Sequence, residues 1–438
     1  LGSGGSLASW DEAIYATLAK NIFQTGDWWT LRFNNQVWFD KPPLSIWGTA
    51  LAFKLFGVNE FGARFFSALC GVGTVCTTYF LGRSLFNRWT GFISGLVLLS
   101  SVHFFRFARF GVTDTPLVFF MTLSLTLFWI GRKRDSFLFL SGIAFGLAVL
   151  TKSFGAMPVL IVTWLFAFAT GQPRLLLQPA YVLGLIAGCL VFAPWYVLGL
   201  TTHTNSILRN EVWFHLFRRT TTALDGHVGK WTYYFHVIVN KYRPWILVGF
   251  ISWPLFVIKA VRKRKETDVF LALWITVVFV LFTLTKTKLG WYILPIYPAL
   301  SVTVAYILVK VLRENKQILT VCLFTAIMLL HIPYSHLIDH DYSRDIKGIA
   351  GTVMAEVPKG TRLYLYKYHE DPALTFYTGR EGAYIDNESE LLNQIKSENF
   401  YCLIHSNDLE LLSDAFENNT LRICGSFEKI KLISNDMK

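Results

Sequence analysis

The sequence predicts an α-helical polytopic membrane protein with a small α/β domain at its C-terminal end, and three observations carry that prediction. The chain is 53% hydrophobic and only 16% charged, with a mean hydropathy of +0.41, whereas soluble domains carry about 25% charged residues. Apolar runs long enough to cross a bilayer recur from residue 61 to about 335, separated by short basic segments. Near His340 the chain turns polar, and short β-like runs begin to alternate with helix-like ones.

Taken in order, the chain opens with the flexible stretch LGSGGSLAS. A first loop that carries chemistry is normally threaded by a preceding helix, so a further spanning helix upstream of Leu1 is expected. Ile14, Leu18 and Ile22 follow at i, i+4 and i+8, giving a short helix with an apolar face that can lie on the bilayer. The run from Leu44 to Val58, between Pro43 and Asn59, is too short to span and reads as a second interfacial helix. Residues 1–60 are therefore expected to form a first extracytoplasmic loop.

A spanning helix needs roughly 17–25 mostly apolar residues. The candidates are 61–82, 89–107, 115–131, 137–151, 156–170, 178–200, 244–260, 269–285, 290–310 and 317–334. Those at 137–151 and 156–170 are short and read as a tight hairpin or a partly re-entrant pair. Together they make a transmembrane domain over 61–335, with a large extracytoplasmic loop at 201–243. The polar tail, 340–438, holds β-like RLYLYKY, FYCLIH and EKIKLI among helix-like SRDIKGIAGTVMAEV, SELLNQIKS and DLELLSDAF, which reads as a soluble α/β domain.

Charge gives the orientation. The segments with Arg83/Arg88, Arg132 to Arg134, Arg174, Arg262 to Lys265 and Arg313/Lys316 fall on one side, the cytoplasmic one by the positive-inside rule. The number of candidate spans is even, so the first loop and the tail share the outer side. The net charge of +12 is spread through such short segments, a topogenic pattern that argues little for nucleic acid. Yet the outer side also holds Lys41, Arg106, Arg109, Lys152, Arg209, Arg218, Arg219, Lys230, Lys286 and Lys288. Cations placed against the topological bias cost insertion energy, which points to a task such as binding an anion. Of the six cysteines, Cys70, Cys76, Cys189 and Cys322 fall in apolar runs and read as small core residues. Cys402 and Cys424 sit in the tail, where a bridge is conceivable but not favoured. No CxxC spacing is present.

The chemistry-bearing residues follow the same order. Asp11 and Glu12 open the first amphipathic helix, where the helix dipole favours negative charge. Asp11 reads either as a helix cap or as a carboxylate poised at the membrane surface as a general base. Lys41 stands in FDKPP, where two prolines fix the chain that leaves it. It either snorkels or holds a lipid phosphate. Asp114, in RFARFGVTDTPL, is a second carboxylate or a helix start with Pro116 near N1. Arg106 and Arg109 flank it in sequence and are expected to favour its charged form. Lys152, in LTKSFGAMP, interrupts two apolar runs and is a functional candidate or a snorkelling lysine. The 201–243 loop mixes His215, His227, Arg218 and Lys230 with Trp213, Trp231 and Tyr234, as a phosphate-bearing sugar lipid would require; interfacial aromatic belts are the plain alternative. The two histidines are twelve apart, with no metal-ligand spacing. TKTKLGWYILPIYP adds Lys288 and Tyr292.

In order and spacing, WDEAIYA, FDKPPL, FARFGVTDTPL, LTKSFGAMP, NEVWFHLFRR…HVGKWTYY and KTKLGWYILPIYP resemble the ArnT-like branch of the GT-C glycosyltransferases. That branch holds the 4-amino-4-deoxy-L-arabinose lipid A transferases and is related to the protein O-mannosyltransferases. The resemblance implies a GT-C fold and inverting transfer of a sugar from a polyprenyl phosphate to a lipid, glycan or protein, on the periplasmic side of the bacterial inner membrane. It implies Asp11 as catalytic carboxylate with Glu12 beside it, Lys41 as donor-phosphate ligand and Asp114 as the second acid. Lys152, Arg218, Lys288 and Tyr292 are implied around the phosphate, and His215, His227, Trp231 and Tyr234 in the substrate loop. No cofactor is required on this reading, and no metal motif is present. Two positions depart from the family pattern: Ile14 stands where an arginine is usual, and Ser153 where glycine follows the lysine. A transporter or flippase of lipid-linked sugar is the rival class. It is disfavoured because the acids cluster on one side of the membrane and no inverted repeat is visible. A membrane-anchored assembly protein working through its tail fits least well.

Overall fold

The computed structural model describes residues 5–7, 10–34, 36–203, 213, 218, 221–222, 229–312, 318–327, 342–397, 399–418 and 420–436. The chain divides into two compact units. One comprises Leu1–Val37, Thr49–Ala63 and Asp339–Lys438, and the other Trp38–Gly48 and Arg64–Ile338.

The first unit joins the N-terminal segment to the tail. Helix α1 (Asp11–Thr25) starts without a side-chain cap, because the cap position is Trp10 at φ +69°. Asp11 is thus the first helical residue and does not serve as the cap. Leu18 and Ile22, expected to lie on the bilayer, are buried within the protein. The tail folds as a five-stranded mixed sheet in the order β4-β3-β5-β7-β6. Its strands are β3 (Leu363–Tyr366), β4 (Gly382–Ile385), β5 (Tyr401–His405), β6 (Arg422–Phe427) and β7 (Ile430–Ser434). β3 runs parallel to β4 and β5, while β7 is antiparallel to β5 and β6.

Alternation along the strands serves both faces. Leu363, Leu365, Leu403 and Leu432 pack on one side with Ile346, Ile349 and Val353 of helix Arg344–Glu356. Tyr366, Cys402, Ile404 and Ile433 pack on the other with Leu391 of helix Glu388–Ile395. The three strands read from sequence are present. β4, β6 and the short helix Ala373–Thr378 were not read, and β6 is broken by a register shift between Ile423 and Gly425. β7 lies between the strands that carry Cys402 and Cys424, and all six cysteines are free.

Helix Ala373–Thr378 carries several of the tail's contacts with the N-terminal segment. Lys20 Nζ donates to the Phe376 carbonyl at 2.6 Å, and the Leu7 N–H donates to Tyr377 Oη at 2.8 Å. That hydroxyl donates to Glu60 at 2.9 Å, which also pairs with Lys347 at 2.7 Å. The N-terminal segment and the tail thus belong to one packed unit.

The second unit is helical. Among the described residues, six helices are long and apolar enough to cross a membrane: α3 (Glu60–Leu85), α6 (Asp114–Gly131), Asp135–Ala156, α9 (Pro179–Thr202), Glu266–Leu284 and Gly290–Val311. A seventh candidate is the pair α4 (Arg88–Leu99) and α5 (Val102–Ala108), bent by 71°. The bend falls at Ser100 and Ser101. Ser100 Oγ returns a hydrogen bond to the Leu96 carbonyl and accepts one from Trp245 Nε1, and the Val102 N–H leaves the helix ladder for the Arg243 carbonyl. The expected span at 137–151 is longer than read, because α7 (Asp135–Lys152) continues into a 3₁₀ turn at Ser153–Ala156. The remaining expected spans correspond to α8 (Pro158–Ala169), Ile246–Lys263 and Ile318–Ile327. α8 and Ile318–Ile327 are short, and Ile246–Lys263 ends in Arg262 and Lys263. α2 (Leu44–Phe56) is likewise short.

α7 and α9 cross where Gly142 and Gly146 meet Gly184 and Gly188. A Cβ on any of the four would collide with the other helix's backbone. These are two small-xxx-small stripes that let helices touch through their main chains. Cys70 is buried, but Cys76, Cys189 and Cys322 lie on exposed helix surfaces and not in the core. Helix surface that faces lipid is as apolar as core, so an apolar run does not reveal which way a small side chain points.

Candidate active site

A cavity of about 400 Å³ lies within the second unit. The FDKPP turn brings Asp40 and Lys41 to it, with Pro42 and Pro43 buried behind them. α6 delivers Asp114 as its first residue, after a Thr113 that makes no side-chain cap. α7 ends at Lys152, followed by Ser153 at φ +32°. The chain that leaves helix Glu266–Leu284 adds Thr285 and Thr287, and the 3₁₀ turn Gly290–Ile296 adds Trp291 and Tyr292. The rest of the wall is apolar, with Leu117, Val118, Phe154, Ile161, Leu281 and Phe282 among it.

The charges in this cavity are organised. Lys152 Nζ donates to Asp114 Oδ1 at 2.6 Å, and the two side chains are only 15% and 8% exposed. The same ammonium stands 5.1 Å from the centroid of the Tyr292 ring. Lys41 Nζ donates to the carbonyl of Asp40 at 2.7 Å. Arg106 and Arg109 place their guanidinium groups 5.7 and 5.8 Å from the rings of Phe110 and Phe105, and Lys152, 38 residues beyond Asp114 in the chain, is bonded to its carboxylate. Ser153 sits in the left-handed region that favours glycine, and its Oγ accepts a hydrogen bond from Tyr196 at 2.9 Å. Ser153 thus ties the end of α7 to α9.

Lys288 lies next to this cavity in the chain but points elsewhere. Its ammonium donates to the carbonyls of Thr283 and Thr285 at 2.6 and 2.8 Å, where it caps the C-terminal end of helix Glu266–Leu284. Burial, with Lys286 adding repulsion, lowers its pKa from the usual lysine value. The ammonium also lies 5.6 Å from the Tyr234 ring. Tyr234 is buried, which raises its hydroxyl pKa above the usual tyrosine value, and it donates to the Leu289 carbonyl at 3.3 Å. A Cβ on Gly229 would stand 2.7 Å from Lys288 Cδ, so the HVGK glycine marks the close approach of that loop to the lysine.

The structure therefore gathers Lys41, Asp114, Lys152 and Tyr292 of the sequence-predicted set. Arg218 is exposed, and Trp231 is 71% exposed against the edge of Phe235. His215 and His227 lie outside the described residues. Asp11 and Glu12 belong to the other unit, where Asp11 is half-buried and Glu12 only 1% exposed. Asp40, Thr285, Thr287 and Trp291 were not singled out from sequence, although all four lie in or beside motifs that were. In chemical terms the cavity offers an apolar trough with two ammonium groups and several hydroxyls, a lining suited to an amphiphile with an anionic head.

Known proteins match this chain in sequence and in fold. A family model described as dolichyl-phosphate-mannose-protein mannosyltransferase matches residues 40–197. An uncharacterised protein of Aquifex aeolicus (strain VF5) is 31% identical over 333 residues, covering 74% of this chain and 64% of that protein. An undecaprenyl phosphate-alpha-4-amino-4-deoxy-L-arabinose arabinosyl transferase of Edwardsiella ictaluri (strain 93-146) is 26% identical over 321 residues, covering 71% and 57%. The chain thus spans about three-fifths of the length of these two relatives. In fold, it matches the crystal structure of ArnT from Cupriavidus metallidurans bound to undecaprenyl phosphate. The TM-score is 0.81 at 18% identity, over 99% of this chain and 95% of that one. It also matches the Archaeoglobus fulgidus oligosaccharyltransferase, with a TM-score of 0.62 at 13% identity, over 92% and 66%.

Proposed function

We propose that this chain, ArnT-like in sequence and GT-C in fold, is an inverting glycosyltransferase that moves a sugar from a polyprenyl phosphate to a lipid, glycan or protein acceptor. The observation that carries the reading is the cavity itself. Its apolar wall suits a prenyl chain, and Lys41 and Lys152 offer ammonium groups to a phosphate. The arabinosyl transferase among the relatives and the bound undecaprenyl phosphate of the fold relative support a donor of this class.

On this reading Asp11 is the base. It is the more accessible of the acidic pair, while Glu12 is buried. The Asp11 carboxylate takes the proton of an acceptor hydroxyl, and the acceptor oxygen attacks the anomeric carbon from the face opposite the phosphate. The anomeric C–O bond breaks, and its electron pair leaves on the phosphate oxygen. Lys41 and Lys152 stabilise the charge that develops there, and no acid is needed for a leaving group of that kind. Asp114 fixes the Lys152 ammonium, and Tyr292 packs against it. Lys288 holds the helix end from which Thr285 and Thr287 reach the cavity. Arg218, Trp231 and Tyr234, with His215 and His227, belong to the substrate loop. The reading requires no cofactor. We further propose that the reaction faces the periplasm of a bacterial inner membrane.

The test is release of free polyprenyl phosphate from a panel of polyprenyl-phosphate sugars by purified protein, with an envelope extract as acceptor source. Release by wild type and not by Asp11→Asn is expected, with donor binding retained in the variant and weakened in Lys41→Ala. Normal turnover in Asp11→Asn would refute the base. Movement of donor across vesicles without sugar transfer would favour the flippase.

A further inference from the structure

Lys41 and Lys152 reach the cavity from distant segments of the chain, and α9 touches both segments. On one side the buried Trp195 packs on the buried ring of Phe39, with 5.5 Å between ring centroids. His203, at the C-terminal end of α9, meets the same Phe39 ring at 5.4 Å. Phe39 stands two residues before Lys41, in the turn whose prolines fix the chain beyond it. On the other side Tyr196 Oη donates to Ser153 Oγ at 2.9 Å, and Ser153 directly follows Lys152. Trp195 and Tyr196 are consecutive, with their rings edge to face at 5.0 Å.

Ser153 holds φ at +32°. A residue with a side chain pays for such a conformation and keeps it where its surroundings over-determine it. The bond from Tyr196 is one such constraint, and it acts at the point where α7 ends. A lysine carries several rotatable bonds, so its ammonium is placed by what holds the tip and by what holds the backbone beneath it. Asp114 holds the tip of Lys152 at 2.6 Å. α9 holds the backbone that follows. The attraction of two cations for one phosphate depends on their distances to it, most steeply where water is scarce. Phe39, Trp195 and Tyr196 all lie outside the cavity lining and so act on a ligand only through the residues they hold.

We propose that Trp195 and Tyr196 form a brace that sets the spacing of Lys41 and Lys152 across the cavity, and are positioning residues for the donor phosphate. One arm runs through Phe39 to Lys41, and the other through Ser153 to Lys152. The proposal rests on the reading of these two lysines as the phosphate ligands.

The experiment measures the affinity of the full chain in detergent for farnesyl phosphate by titration calorimetry, beside its melting temperature. Tyr196→Phe removes one hydroxyl and is expected to weaken binding by about three- to tenfold. Ser153→Ala should match it, and the Tyr196→Phe/Ser153→Ala double variant should be no weaker than either, because the two share one bond. Phe39→Leu should weaken binding through the other arm. The readout that packing alone would not move is which lysine each arm needs. Tyr196→Phe should lose its effect in a Lys152→Gln background and keep it in a Lys41→Ala background, and Phe39→Leu should do the reverse. Effects of equal size in both backgrounds would overturn the proposal, as would unchanged affinity in Tyr196→Phe and Phe39→Leu while the lysine variants bind weakly. Unchanged affinity in Lys152→Gln and Lys41→Ala themselves would overturn the reading of the cavity as the phosphate site, and the role of the brace with it.

Discussion

One ion pair of the helical unit differs in kind from two of the tail-bearing unit. In the tail-bearing unit Arg344 meets Glu428 with side chains 60% and 47% exposed, and Arg422 meets Glu356 with side chains 33% and 35% exposed. In the helical unit Lys152 and Asp114 meet at 2.6 Å with 15% and 8% exposed. Water competes for the first kind, which contributes about 0–1 kcal/mol. The second kind has given up most of its hydration, and its attraction offsets that loss only while both partners remain. A pair that contributes little net stability yet cannot lose one member is a costly way to hold a fold. It is a reasonable way to keep a cation charged beside an apolar trough.

The contrast can be broken at four points. Asp114→Asn should have the largest effect, because it strands Lys152 as a buried, unpaired cation. A loss of about 3–5 kcal/mol, read as a lowered melting temperature in detergent, is expected along with loss of transfer. The double variant Asp114→Leu/Lys152→Met should recover most of that stability while remaining inactive, because an apolar pair of similar volume is often neutral where a broken pair is not. Equal stability losses in the single and double variants would mean that the carboxylate matters for something other than its lysine. Gly146→Leu should destabilise by about 1–3 kcal/mol or more through overpacking, since a side chain there meets the backbone of α9. A normal melt would show that the α7–α9 crossing has slack. Arg344→Gln should change stability by under about 0.5 kcal/mol. A larger shift would erase the distinction between the two kinds of pair.

Much of this molecule was legible before folding. Lys41, Asp114, Lys152 and Tyr292 were marked because charged and polar groups are expensive inside apolar sequence and persist where they have work to do. The structure then brought them to one cavity. Their pairing was not legible. Arg106 and Arg109 were read as flanking Asp114, and the structure adds a bond from Lys152 at the far end of α7 that the sequence did not show. Lys288 was read as a phosphate ligand, and its ammonium caps a helix whose end could not be placed from sequence. The stripes Gly142/Gly146 and Gly184/Gly188 stood in plain view, but small residues in a stripe acquire meaning only when a facing helix is known. In the tail, β3, β5 and β7 were found as short β-like runs that alternate with helix-like ones. β4 opens on Gly382 and Ala383, residues that strands disfavour, and β6 is interrupted at Gly425.

The sequence by itself determined the class of the molecule. Hydropathy over distances near a bilayer's thickness fixes spans, period-two alternation fixes strands, and polar groups against that background mark a site. Each is a local property of the chain, set by transfer free energies that depend on residue type. Tertiary structure alone decided which helix ends meet, and so which lysine neutralises Asp114 and which caps a helix. Electrostatic and packing energies depend on distance in space, and the chain records only distance along itself.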